Sequence, residues 1–167
     1  MQKRSKRLAL RVLSTATFLA MVSSCTTAAF ADTYYMEDGS ISITAKEDGN
    51  YITQGEINNQ KDVGETVITN HNSSTASENT VTITTEGDCT ANVTLDNVNI
   101  DASDTGKAAI HTEGNVTLEL DGNNTLIGGE GHAALEKPNR AGTDYTLTLQ
   151  DKTTDETTGG GVVRPAA

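Results

Sequence analysis

Apolar and polar residues alternate with a period of two through most of the chain beyond residue 39. Ser40–Thr44 (SISIT), Thr66–Thr69 (TVIT), Thr80–Thr84 (TVTIT), Asn92–Leu95 (NVTL), Asn115–Leu118 (NVTL) and Tyr145–Leu149 (YTLTL) each read as a half-buried strand. Shorter runs, Tyr51-Ile52-Thr53, Val98-Asn99-Ile100 and Asn124-Thr125-Leu126, fit between polar turns such as Glu47-Asp48-Gly49-Asn50. No stretch beyond residue 31 has a helical period. Strands at this spacing without helical crossovers leave a sandwich, a barrel or a β-solenoid.

An internal repeat selects among these. Asn92-Val93-Thr94-Leu95 returns 23 residues later as Asn115-Val116-Thr117-Leu118, and Ala108-Ala109-Ile110 is answered 25 residues later by Ala133-Ala134-Leu135. Repeats of this length built from short strands predict an all-β solenoid of a few short coils, each burying its apolar side on the next. Val93, Leu95, Val116, Leu118, Leu147 and Leu149 are then expected to face inward, with the intervening threonines outward. On the 23-residue offset, Asn92 stacks on Asn115 as an amide ladder, and Asp96 lies beside Glu119.

The first 31 residues are set apart from this pattern. Lys3, Arg4, Lys6, Arg7 and Arg11 precede a short apolar run, Val12–Val22, and Ala29-Phe30-Ala31 offers a cleavage site. This is the layout of a secretory signal peptide, too short in its apolar part to span a membrane. Val22-Ser23-Ser24-Cys25 offers the alternative of a lipobox with a lipid-anchored Cys25. Either reading makes the protein secreted or cell-surface, with no transmembrane segment in the mature chain and a folded domain over 32–161. Residues 162–167 read as an irregular tail.

Without residues 1–31, 7 Lys and Arg face 23 Asp and Glu, a net charge of −16. That excess argues against nucleic acid as a partner, because phosphate binding needs Lys and Arg. The same residues contain no Phe or Trp, and only Cys89 remains, so no internal disulfide is expected. Val, Ile, Leu and Ala suit thin stacked β-layers better than a thick globular core.

Candidate chemistry is sparse. Asp96, Glu119 and Asp121 are the proposed Ca²⁺ ligands, since neighbouring carboxylates repel unless a cation or proton lies between them. Asn99, Asn123, His132 and Lys137 are the candidate carbohydrate-binding residues. Lyase chemistry would need a positioned Lys or Arg, and neither Lys137 nor Arg140 stands out.

The segments Ala91–Ala102 (ANVTLDNVNIDA), Asn115–Leu126 (NVTLELDGNNTL), Gly131–Lys137 (GHAALEK) and Gly39–Ala45 (GSISITA) resemble a family of secreted bacterial carbohydrate-binding domain-containing proteins. The resemblance implies a right-handed parallel β-helix that binds polysaccharide at the cell surface, with Ca²⁺ in its structure. Family members continue into further Gly-rich coils, and this chain departs from them after Gly161, as if C-terminally truncated. The expectation is therefore a secreted, non-catalytic polysaccharide-binding module. The alternatives are an adhesin-like structural protein, self-associating through an uncapped coil end, or a polysaccharide lyase- or hydrolase-related β-helix.

Overall fold

The computed structural model describes residues 32–62, 64–138 and 142–151, and the backbone of 162–164. The expected signal segment with Cys25, and the glycine-rich stretch Thr157–Gly161, lie outside the described residues.

Among the described residues the fold is all-β, with three sheets. The first is parallel throughout, in the order β1 (Asp32–Tyr35), β5 (Thr66–Thr69), β7 (Thr90–Asp96), β10 (Asn115–Asp121) and β13 (Leu147–Gln150). The second runs β12 (Leu135–Glu136), β9 (Ile110–Glu113), β6 (Val81–Thr85), β2 (Ile41–Lys46), β3 (Gly49–Gln54) and β4 (Ile57–Lys61). It is mixed, because β3 pairs antiparallel with both β2 and β4. The third is parallel, with β11 (Thr125–Ile127) between β8 (Asn99–Asp101) and β14 (Val162–Arg164). From β6 onward the chain visits the second, first and third sheets in that order, three times in succession.

Inward residues form columns across neighbouring strands. Ile41, Val81, Ile110 and Leu135 make one column in the second sheet. Ile68, Leu95 and Leu120 make another in the first. Burying such side chains contributes about 1.5–3 kcal/mol each, and a period of two supplies one per strand in every column.

The register corrects the 23-residue offset. Val116 lies beside Ala91, Leu118 beside Val93 and Leu120 beside Leu95, an offset of 25. Asn115 therefore pairs with Thr90, and Asn92 with Thr117, so the expected Asn92–Asn115 ladder does not form. Asp96 lies beside Asp121, and Glu119 beside Thr94. The physical reason is apolar matching. The observed register opposes three inward apolar pairs, whereas a 23-residue register would oppose two and set Leu120 against Asn97. The turns agree: Asn97 and Gly122 both have positive φ, at 52° and 64°. A Cβ on Gly122 would meet the Asn97 amide at 2.5 Å. The 25-residue spacing of Ala108-Ala109-Ile110 and Ala133-Ala134-Leu135 is the observed one, with Ile110 paired to Leu135.

Two further expectations change. Leu149 pairs with Leu118 but is 49% exposed, because β13 ends its sheet among the described residues. Val162–Arg164, expected within an irregular tail, forms β14 alongside the open edge of β11. The hairpin strand β4 was not expected at all, since Ile57–Lys61 (INNQK) lacks apolar alternation and is largely exposed.

Two buried amides are tied into backbone. Asn70, buried, accepts from the Asn99 N–H and donates to its carbonyl. Asn124, 3% exposed, accepts from the Val98 N–H and donates to the Asp121 carbonyl. These amides satisfy backbone groups where the chain leaves the first sheet for the third.

Candidate functional site

The outward side of the second sheet carries two aligned rows of polar side chains. Strand pairing aligns Thr53, Ser42, Thr82, His111 and Glu136 in one row across β3, β2, β6, β9 and β12. A second row aligns Tyr51, Thr44, Thr84 and Glu113. These side chains face outward because their neighbours Ile41, Ile43, Val81, Ile83 and Ile110 occupy the core. The Thr44 and Thr84 hydroxyls are bonded to each other at 3.1 Å.

The first row ends in a cleft of about 240 Å³ between Thr80, Thr82, Lys107, His111, His132 and Glu136. Three segments meet here. His111 stands on β9, Glu136 opposite it on β12, and His132 on the turn leading into β12. The turns around Lys107 and Gly129 pack backbone to backbone; a Cβ on Gly129 would meet the Lys107 nitrogen at 2.7 Å. Glu136 Oε1 lies 3.0 Å from His132 Nδ1, and Oε2 lies 3.4 Å from His111 Nδ1. Burial pushes the Glu136 carboxyl up, but hydrogen bonds with His111 and His132 outweigh it and hold the group below its ordinary value. A smaller hollow of about 80 Å³ follows along the second row, between Thr84, Glu113, Lys137 and Tyr145.

Lys46 and Lys61 are paired with Glu86 and Asp48, whereas Lys107 and Lys137 make no ion pair with another described residue. Of the expected carbohydrate-binding residues, His132 and Lys137 thus flank β12 on one face. Asn99 and Asn123 do not join them. Asn99 lies in the third sheet and donates its amide to the Ser73 carbonyl. Asn123 is exposed on the turn before β11, its N–H bonded to Asn97 Oδ1.

The proposed calcium ligands lie on the first sheet. Asp96 and Asp121 are register neighbours, with Glu119 two residues before Asp121 on the same side. Asp96 Oδ1 accepts from the Asn97 amide at 2.7 Å. Among the described residues, no three His, Cys, Asp or Glu converge in a way that could hold a metal ion. Cys89 is a free, half-buried thiol packed against the core.

Sequence reasoning missed Thr82, Lys107 and His111. The available signal was the 25-residue Ala-Ala-apolar spacing, which sets His111 beside Glu136 once it is taken as strand register.

No family model, no curated protein and no solved structure matches the chain. Among the described residues no helix is long and apolar enough to cross a membrane.

Proposed function

We propose that this chain is a non-catalytic module that binds polysaccharide outside the cell, built as a right-handed parallel β-helix. The repeated order of sheets and the in-register parallel pairing of successive strands support the helix. Right-handedness follows from the strong bias of parallel crossovers to that hand. The resemblance of ANVTLDNVNIDA and NVTLELDGNNTL to secreted carbohydrate-binding proteins agrees with this reading.

The observation behind the functional reading is the double row of outward groups on the second sheet. Neighbouring strands lie about 4.8 Å apart, comparable to the length of one sugar unit in an extended chain. A polysaccharide lying across the strands would meet a hydroxyl, imidazole or carboxylate at each step. Contacts of this kind are individually weak and gain by repetition. Tyr51 within the second row and Tyr145 beside it add aromatic surface. Calcium enters the reading only as an addition to be tested at Asp96, Asp121 and Glu119, because among the described residues these carboxylates do not converge on a metal position.

Retention on insoluble and acidic polysaccharides, measured with calcium and with EDTA, tests the proposal. Binding that weakens in Thr82→Ala and His111→Ala is the expected result. Failure to bind any glycan would overturn it. A rise in ultraviolet absorbance on pectate would favour the lyase alternative instead. A second reading, a self-associating structural module, is favoured by the exposure of Leu149 at the edge of the first sheet. It expects concentration-dependent association and no glycan retention.

A further inference from the structure

We propose that His111, His132 and Glu136 form an acid-engaged latch that closes β12 onto β9. The strand it secures is short: β12 has two residues and, among the described residues, pairs with β9 alone. Its backbone attachment includes the Ile110 N–H to the Ala134 carbonyl at 2.9 Å, and the Thr112 hydroxyl to the Glu136 carbonyl at 3.0 Å. So short an edge strand depends on side chains to stay closed, and the Glu136 carboxylate joins it to both histidines.

Imidazole chemistry gives the latch its pH dependence. A neutral ring has one N–H and one lone pair. When His111 donates from Nδ1 to Glu136, its Nε2 presents a lone pair 3.9 Å from Glu113 Oε1. That is acceptor facing acceptor. Protonation places an N–H on both nitrogens, so His111 can bridge Glu136 and Glu113 together. His132 then adds a charged donor to the other Glu136 oxygen, and charge-assisted bonds are the stronger kind.

The surrounding charges favour the same direction. Lys107 faces the cleft from the turn before β9, Glu113 lies on β9 and Glu136 on β12. The neighbouring strand β6 presents only Thr82 and Thr84 to this face. Asp104 and Glu130 lie on the adjoining turns, and Lys137 follows β12. With both rings neutral, Lys107, Lys137, Asp104, Glu113, Glu130 and Glu136 sum to −2. With both protonated the sum is zero. Proton uptake therefore relieves an excess of carboxylate. Histidine is the side chain that ordinarily charges in the mildly acidic range.

The latch stands or falls independently of what the sheet binds, because its readout is local protection. Amide hydrogen exchange at Ile110, whose N–H reaches the Ala134 carbonyl, is followed from about pH 7.5 to about pH 5.5 after correction for intrinsic rates. Protection should rise severalfold toward the acidic end in the wild type. The rise should disappear in Glu136→Gln and in the double variant His111→Gln/His132→Gln. It should persist in His71→Gln, whose ring stacks on Tyr35 instead. Protection that is flat with pH in the wild type, or that rises equally in both latch variants, would overturn the proposal. The double variant keeps the Glu136 carboxylate and serves if Glu136→Gln fails to fold.

Discussion

Leu118 lies alongside Val93 on the neighbouring strand, not alongside Leu95, and the exposed Leu149 follows Leu118 in the same column. Two leucines with the same strand parity thus have opposite environments: Leu118 is fully buried and Leu149 is 49% exposed. Leu118→Ala should cost about 2–5 kcal/mol through lost burial and a residual cavity. Leu149→Ala should cost under about 1 kcal/mol. Urea unfolding of the two variants, with unchanged m-values, checks the contrast.

The turn stack of Asn97 over Gly122 should be as sensitive as the core. Gly122→Ala imposes a side chain at φ 64° and against the Asn97 amide. It should destabilise by more than about 1 kcal/mol. Adding Asn97→Gly removes the steric conflict but leaves the unfavourable φ, so the double variant should recover part of the loss. Full additivity in the thermodynamic cycle would mean the two turns do not touch.

Alkaline titration should isolate Tyr34. Its phenol is pushed up to about 12, first by burial and then by the charges of Asp62 and Asp32. A phenol with a raised folded pKa keeps its proton longer in the folded state. Stability therefore falls as pH rises from about 10 toward about 12. Tyr34→Phe should remove that part of the alkaline loss and the corresponding ultraviolet step. Asp32 is itself raised, by burial first and then by the neighbouring Asp62 carboxylate. The Asp32–Asp62 repulsion opposes folding at neutral pH, and Asp32→Asn should raise the melting temperature there.

At the acidic end, Glu37 acts in the opposite sense. Burial pushes its carboxyl up, but the backbone N–H groups of His71 and Asn72 more than offset this and hold it low. The resulting stability is present above the ordinary carboxylate range and is lost as pH falls through the folded value. Glu37→Gln should loosen the Asn70–Asn79 loop at neutral pH and flatten this acid dependence. Exchange at His71 and Asn72 amides reports both.

Strand parity was legible in the sequence because a period of two survives any even shift of register. That is also why the register itself was misread. The repeated NVTL phrase suggests an offset of 23, which preserves parity while losing one apolar pair per strand. The turn conformations of Asn97 and Gly122, the third pair Leu95–Leu120 and the 25-residue spacing of Ala108-Ala109-Ile110 and Ala133-Ala134-Leu135 distinguish it from 25. The hairpin strand β4 was illegible because an exposed edge strand needs no apolar alternation. His132 and Lys137 could be singled out as residues near a tight turn. Their association with Lys107, His111 and Thr82 depends on pairing between segments far apart in sequence.

The most direct test of the functional account is affinity electrophoresis through gels containing polysaccharide, comparing wild type with a Thr82→Ala/His111→Ala variant of matched melting temperature. Retardation of the wild type by at least one polysaccharide, largely lost in the variant, is the predicted result. Equal retardation of both would contradict binding on the second sheet. Free migration of the wild type in every gel would contradict polysaccharide binding altogether.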